Sequence, residues 1–319
     1  MSARLARTAD GWWVVTPAGL ARLGLPAATT AELLADRAAL TAAMEAAQAT
    51  APRDAVPAAS LDLLSPVTAP ARVVAQAVNY RSHAAESGFD PDTVPAAFFR
   101  KASHSITGPA GDIIRPDGVA FLDYEVELGL VIGADLPAGS TVTEADLARY
   151  VAALVVTNDV SARQIQLVKT QFYESKSYPT FTPVGPWLTL VDAADLARLD
   201  SLRLTLSVNG EVRQDSTAAD MIVRPARALT LLSRFQPMAP GDLLLTGTPG
   251  GTALQAPAKV AGMLAGLLPP ATRWKLFFGR QAANPRYLRD GDVITATIAA
   301  PDGRLDLGTQ RNTVIGKTP

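Results

Sequence analysis

The chain has 319 residues, 48% of them hydrophobic and 18% charged, with a net charge of −1. Such a chain can bury a large core, in two domains or one enlarged domain, and offers no broad basic field to nucleic acid. The absence of cysteine excludes disulfides, thiolate zinc sites and a cysteine nucleophile, and two histidines, His83 and His104, are too few for a three-histidine zinc site.

The first signal is Asp10-Gly11 between apolar runs, which predicts a hairpin. "TTAELLADRAALTAAMEAAQAT" then predicts one helix, capped by Thr30, with Leu33, Leu34, Ala38 and Leu40 on its stripe. Pro52, Pro57, Pro66 and Pro70 predict a linker. A small N-terminal α/β domain is therefore expected over 1–68 and a larger unit over 69–319. In the larger unit "RVVAQAV", "EVELGLVIG" and "YVAALVVTND" read as strands. "LRLTLSVNGEVRQDS" alternates and turns at Asn209-Gly210, a strong hairpin signal. "RPARALTLLSRF" is a helix with Pro225 near its start, "APGDLLLTGTPGG" a strand and glycine loop, and Asp302-Gly303 a further hairpin. Regular βαβ alternation is missing, so the expected class is β-rich α+β. No apolar run of about 18 residues suggests a membrane span, and the charges near the start do not suit a signal peptide. A soluble, cytoplasmic protein is expected.

Four stretches carry candidate chemistry. In "FLDYEVELGLVIG", Glu125 and Glu127 share one face of a strand, roughly 6–7 Å apart, where they repel unless solvated or joined by a cation. In "NYRSHAAE", His83 and Glu86 lie three residues apart, on one face of a helical turn. A carboxylate beside an imidazole raises its basicity and suits a general base, although the pattern also fits a surface pair. In "TNDVSARQIQ", Asp159 follows a buried strand, with Arg163 and Gln166 at near-helical spacing; Asn158 or Asp159 could equally cap a short helix. In "ESKSYPTFTPVGPWL", Lys176 is placed to stabilise an enolate or, alternatively, to pair with Glu174. With so few histidines, a divalent ion would be held by oxygen, which favours magnesium, manganese or calcium.

These stretches, with "FFRKASHSITGP", "VNGEVRQDSTAADMI" and "GDLLLTGTPGG", run in order from Asn79 to Gly251 and resemble the fumarylacetoacetate hydrolase (FAH) superfamily. The resemblance implies a mixed β-sandwich roll, a homodimer and a bound divalent ion, Mg2+ or Mn2+ with Ca2+ as a third option. It implies Glu125, Glu127 and Asp159 as metal ligands and His83 as the base that activates water. Glu86 would orient His83 on a lid, and Lys176 would stabilise the enolate. Tyr80, Lys101, Gln166 and Thr248 would line the substrate pocket. The implied partner is a small diketo or 2-oxo acid, with neither nucleic acid nor membrane.

The implied reaction is hydrolysis of a carbon–carbon bond in an acylpyruvate-like or other 1,3-diketo acid, as in catabolism of aromatic compounds. The alternative is a 2-oxo acid decarboxylase of the oxaloacetate type, or a keto–enol isomerase, on the same scaffold. Two departures stand out. Some members carry a fourth carboxylate ligand upstream of the base, whereas "VVAQAVNY" has none, so three protein ligands and water are expected. An insertion also runs from Ala253 to Arg289, expected to hold an apolar helix and then an aromatic, basic stretch. "GTPGG" lacks the lysine and hydroxyl residue of a phosphate loop, and no G-x-S-x-G elbow occurs.

Overall fold

A computed structural model describes residues 2–254 and 269–316. Among the described residues the largest sheet has nine strands, in the order Gly19–Arg22, Gly11–Thr16, Arg4–Thr8, Leu188–Leu190, Val151–Asn158, Val126–Ile132, Leu243–Leu245, Val73–Ala77, Ala97–Lys101. A five-stranded sheet runs Glu211–Thr217, Arg203–Val208, Val293–Ala299, Asp306–Gly316, Ile113–Arg115. The class is β-rich α+β. No helix among the described residues is long and apolar enough to cross a membrane.

Side-chain alternation explains the layering. Val126, Leu128, Leu130 and Ile132 point into one core with Leu204, Leu206, Ile294 and Ile298 of the five-stranded sheet. Val131 points the other way, into a second core with Val155, Leu243, Leu245 and the helical residues Leu33, Leu34 and Leu40. Strand Val126–Ile132 is thus buried on both faces, and each large aliphatic side chain there contributes about 1.5–3 kcal/mol. Gly129 lets its neighbours close in, because a Cβ there would lie 2.6 Å from Val155 Cγ2.

The hairpins at Asp10-Gly11, Asn209-Gly210 and Asp302-Gly303 form as the sequence predicts. Asn209 and Gly210 both take positive φ, the conformation a tight two-residue turn requires. The expected single helix is two. Thr29, not Thr30, caps Thr30–Ala35 through a capping box with Glu32, and Asp36 ends that helix while capping Arg37–Asp54. Thr30 is instead buried, its hydroxyl donating to Pro66 O at 2.9 Å. The longer helix continues past Pro52, the first of the expected linker prolines.

Residues 2–68 pack onto the larger unit. Arg4 and Leu5 pair with Thr189 and Leu188, so the N-terminal strands extend the central sheet, and their helices cover its second face. Of the insertion, the apolar stretch 257–268 lies outside the described residues. Beyond it Pro270–Ala282 is a helix whose Phe278 stacks on Phe121, with ring centroids 5.5 Å apart.

Candidate metal centre and active site

Two neighbouring central strands end at the same place. Asn158 pairs with Val126 and Thr157 with Glu127, which sets Asp159, just past one strand end, beside Glu125 at the start of the other. Asn158 does not cap a helix; its Oδ1 accepts the Glu125 N–H at 2.9 Å, and Asp159 N–H donates to Glu125 O at 2.8 Å. Helix Arg163–Lys169 has no side-chain cap at all. Glu125, Glu127 and Asp159 are all buried, and one carboxylate oxygen of each lies within 4.8 Å of the others.

Three cations surround this group. Lys176 Nζ reaches Glu125 Oε2 at 2.7 Å and Asp159 Oδ2 at 2.5 Å, and lies 5.2 Å from the centroid of the Phe99 ring. It does not pair with Glu174, which takes Lys169 instead. Lys101 Nζ binds Asp159 Oδ1 and donates to Phe181 O at 2.8 Å. Arg163 donates Nε–H to Asp123 Oδ2 at 2.8 Å, one terminal amino group to Gln166 Oε1 at 2.9 Å and the other to Glu125 Oε1.

Glu127 differs from its neighbours. The only hydrogen bond to its carboxylate among the described residues is from the Gly247 N–H, 2.7 Å to Oε2. Burial, then the Asp159 and Glu125 charges, raise its carboxyl well above the usual range. For Glu125 burial also acts upward, but Arg163 and Lys176 outweigh it and bring the carboxyl down to about 2. Burial likewise opposes the charge on Lys176, yet Asp159 and Glu125 raise it above the ordinary lysine value.

The charge count tests whether a cation fits. Asp123, Glu125, Glu127 and Asp159 are four carboxylates against Lys101, Arg163 and Lys176, and every ion pair in the group leaves Glu127 out. A buried, all-oxygen donor set with one uncompensated carboxylate suits a hard divalent ion.

A cavity of about 50 Å³ opens beside the carboxylates, lined by His83, Phe99, Glu125, Glu127, Arg163, Gln166, Phe172, Lys176 and Thr248, among others. It is smaller than the roughly 300–1,000 Å³ of organic-ligand sites, so an organic acid enters only if a wall moves. One wall is helix Arg81–Glu86. It is docked on the glycine loop: Ser82 Oγ donates to Asp220 Oδ2 at 2.6 Å and accepts Gly250 N–H at 3.0 Å, while Glu86 Oε2 accepts Gly251 N–H at 2.7 Å. A larger groove of about 420 Å³, lined by Val15, Thr16, Pro17, Ala18, Gln48 and Ala51, holds no ionisable side chain.

The site residues expected from sequence divide accordingly. Glu125, Glu127, Asp159, Lys176, His83, Gln166 and Thr248 are brought together. Lys101 does not line the cavity; its side chain is fully buried behind Asp159. Tyr80 is also fully buried and off the cavity, its hydroxyl without a partner among the described residues. Glu86 does not hydrogen-bond His83, whose Nδ1 is buried without a partner. The expected rise in His83 basicity is absent: burial lowers its pKa below the ordinary value, despite a counteracting pull from Glu125 and a smaller one from Glu86. Asp123 and the ion-pairing role of Arg163 escaped the sequence reading. Asp123 could have been found, since it precedes Glu125 by two residues in an acidic stretch, although it ends a separate short strand, Leu122–Asp123.

The family described as "Fumarylacetoacetate (FAA) hydrolase C-terminal" matches residues 72–315. "Oxaloacetate tautomerase Fahd2a, mitochondrial" of Rattus norvegicus is 36% identical over 200 residues, covering 62% of each chain. "2,4-didehydro-3-deoxy-L-rhamnonate hydrolase" of Sphingomonas sp. (strain SKA58) is 37% identical over 187 residues, covering 58% of this chain and 64% of its own. The chain thus spans less than two thirds of either relative. A crystal structure of a probable 2-hydroxyhepta-2,4-diene-1,7-dioate isomerase from Mycobacterium abscessus matches over 100% of both chains, with a TM-score of 0.74 and 28% identity.

Proposed function

Because the chain belongs to the fumarylacetoacetate hydrolase family, we propose that it is a divalent-cation-dependent enzyme that hydrolyses a carbon–carbon bond in an acylpyruvate-like 1,3-diketo acid. The observation that carries the reading is the convergence of His83, Lys176 and the three carboxylates on one cavity. Glu125, Glu127 and Asp159 would hold the ion, magnesium or manganese by donor chemistry. Such an ion, when bound, would supply Lewis-acid polarisation of a 2-oxo acid oxygen.

The chain's own groups supply the rest. His83, held neutral by burial, takes a proton from water, which adds to the carbonyl distal to the carboxylate. The carbon–carbon bond then breaks, its electron pair passes into an enolate, and the proton on His83 is delivered to the departing carbon. Lys176 donates a hydrogen bond to the oxygen on which that charge develops, an interaction stronger in the transition state than before it. Phe99 and Phe172 limit water at that wall of the cavity.

A second reading, keto–enol tautomerisation of a 2-oxo acid, is favoured by one observation. His83 lacks the carboxylate partner that would orient it toward water, yet a lone neutral imidazole suffices to shuttle a proton between carbon and oxygen. The test supplies an acylpyruvate and oxaloacetate separately, with magnesium or manganese, in heavy-oxygen water. Two acids, one labelled, support hydrolysis. Faster keto–enol relaxation without cleavage supports the second reading, and carbon dioxide release would replace both with decarboxylation.

A further inference from the structure

We propose that Asp123 is a positioning residue that divides the charge of Arg163 with Glu125 and so sets how tightly the carboxylate group holds its cation. The inference rests on the reading of Glu125, Glu127 and Asp159 as a cation site. Asp123 is fully buried yet makes no direct contribution to that group. Its two oxygens accept four hydrogen bonds: Tyr124 N–H at 2.9 Å and Ala253 N–H at 2.8 Å on Oδ1, Leu254 N–H at 3.0 Å and Arg163 Nε–H at 2.8 Å on Oδ2. An asparagine has one acceptor oxygen and cannot take all four.

Asp123 also cannot follow Arg163 toward the cavity. Leu288 N–H donates to Leu122 O at 2.9 Å, and Phe121 is packed between Phe278 and Tyr287. The two ends of the insertion therefore clamp residues 121–123 from both sides. Arg163, in contrast, stands between two acids. Its second carboxylate partner is Glu125, and an incoming cation must compete with that contact. A fixed anion behind the guanidinium draws part of its positive potential away from Glu125. Without it, the full charge would fall on Glu125, and the cavity would become more positive by one unit, both against cation binding.

The experiment is calorimetric titration of the full chain with Mn2+, for wild type, Asp123→Asn, Arg163→Gln and the double variant, with circular dichroism to verify folding. The expected result is weakening by about tenfold or more in Asp123→Asn, the scale on which groups behind metal ligands act. Arg163→Gln should bind at least as tightly as wild type, and in the double variant it should recover most of the loss. Recovery is the readout that a merely structural role would not give, since damage from a lost anchor would persist or grow. A folded Asp123→Asn with wild-type affinity overturns the proposal, as does a double variant no better than Asp123→Asn. Should Asp123→Asn fail to fold, weaker binding by Arg163→Gln overturns it. A wild-type chain that binds no Mn2+ instead removes the cation-site reading itself, together with the proposal.

Discussion

Glu86 Oε2 accepts the backbone N–H of Gly251 at 2.7 Å, and His83, one turn earlier on the same helix, has no bond to it. The carboxylate ties the wall of the cavity to the glycine loop and leaves the imidazole to its burial. The pH dependence of the reaction should reflect this. A general base works when neutral, and burial lowers the pKa of His83 from its ordinary value of about 6.5. With saturating metal, the acidic limb of kcat/KM should therefore lie below 6.5, with activity lost as pH falls through it. Glu86→Gln should move the limb only slightly, and downward, since the Glu86 charge is the weakest of the influences on the imidazole. A limb above 7, or a large downward move in Glu86→Gln, would restore the carboxylate as the partner of the imidazole.

His83→Asn should lower hydrolysis by about 10²–10⁴-fold, the usual contribution of a general base, with metal affinity unchanged. His104 is exposed on the turn Ser103–Ser105 and supplies the control. Equal losses at the two histidines in steady-state kinetics would remove His83 from the mechanism.

Glu127→Ala should abolish metal binding with the fold intact, because it removes the carboxylate that no basic side chain compensates. In the wild type, the raised pKa of Glu127 means that ion and proton compete for this carboxylate, so affinity should climb as pH rises. Titration in two buffers of different ionisation enthalpy should detect the proton release that accompanies binding. Wild-type affinity in Glu127→Ala would refute the ligand assignment.

The two lysines should part company. Lys176→Met removes a cation that occupies Glu125 and Asp159, so metal binding should hold or tighten while kcat falls by about 10²–10³, as when one oxyanion donor is lost. Lys101→Met breaks a buried pair away from the cavity and should reduce unfolding free energy by up to about 3–5 kcal/mol. Chemical denaturation and kinetics on both variants check the contrast, which a stability loss confined to Lys176→Met would reverse.

Gly251→Ala should not be tolerated. Gly251 has φ of +99°, and a Cβ would lie 2.1 Å from Arg213 O, a backbone atom that cannot step aside. Strain and overpacking together should cost about 3 kcal/mol or more, read as a fall in the thermal midpoint. An unchanged midpoint would mean that the loop has another conformation.

The elements legible in the sequence are those specified locally. Asn209-Gly210 turns because both residues accept positive φ, and the Glu125/Glu127 pair is visible because strand alternation needs no knowledge of the partner strand. The pairing of Arg4 with Thr189 was not legible, since nothing near either residue encodes a partner so distant in the chain. The break at Asp36 was missed because its cap reads as one more polar residue of a helix with alanines on all sides. The resemblance puts Lys101 at the pocket because a matched motif shows position but not depth, and its depth comes from Asp159 and Phe181 closing over it.

The doubly buried strand Val126–Ile132 also orders the molecule in time. Its amides are paired on both sides, to Val151–Asn158 and to Leu243–Leu245, beneath two cores. Hydrogen exchange there should require global opening, whereas the six-residue helix that carries His83, held by the contacts of Ser82 and Glu86, should exchange through local excursions. Glu125 and Glu127 would thus stay assembled through many openings of the helix beside them, and the proton-transfer group could come and go over a carboxylate floor that does not.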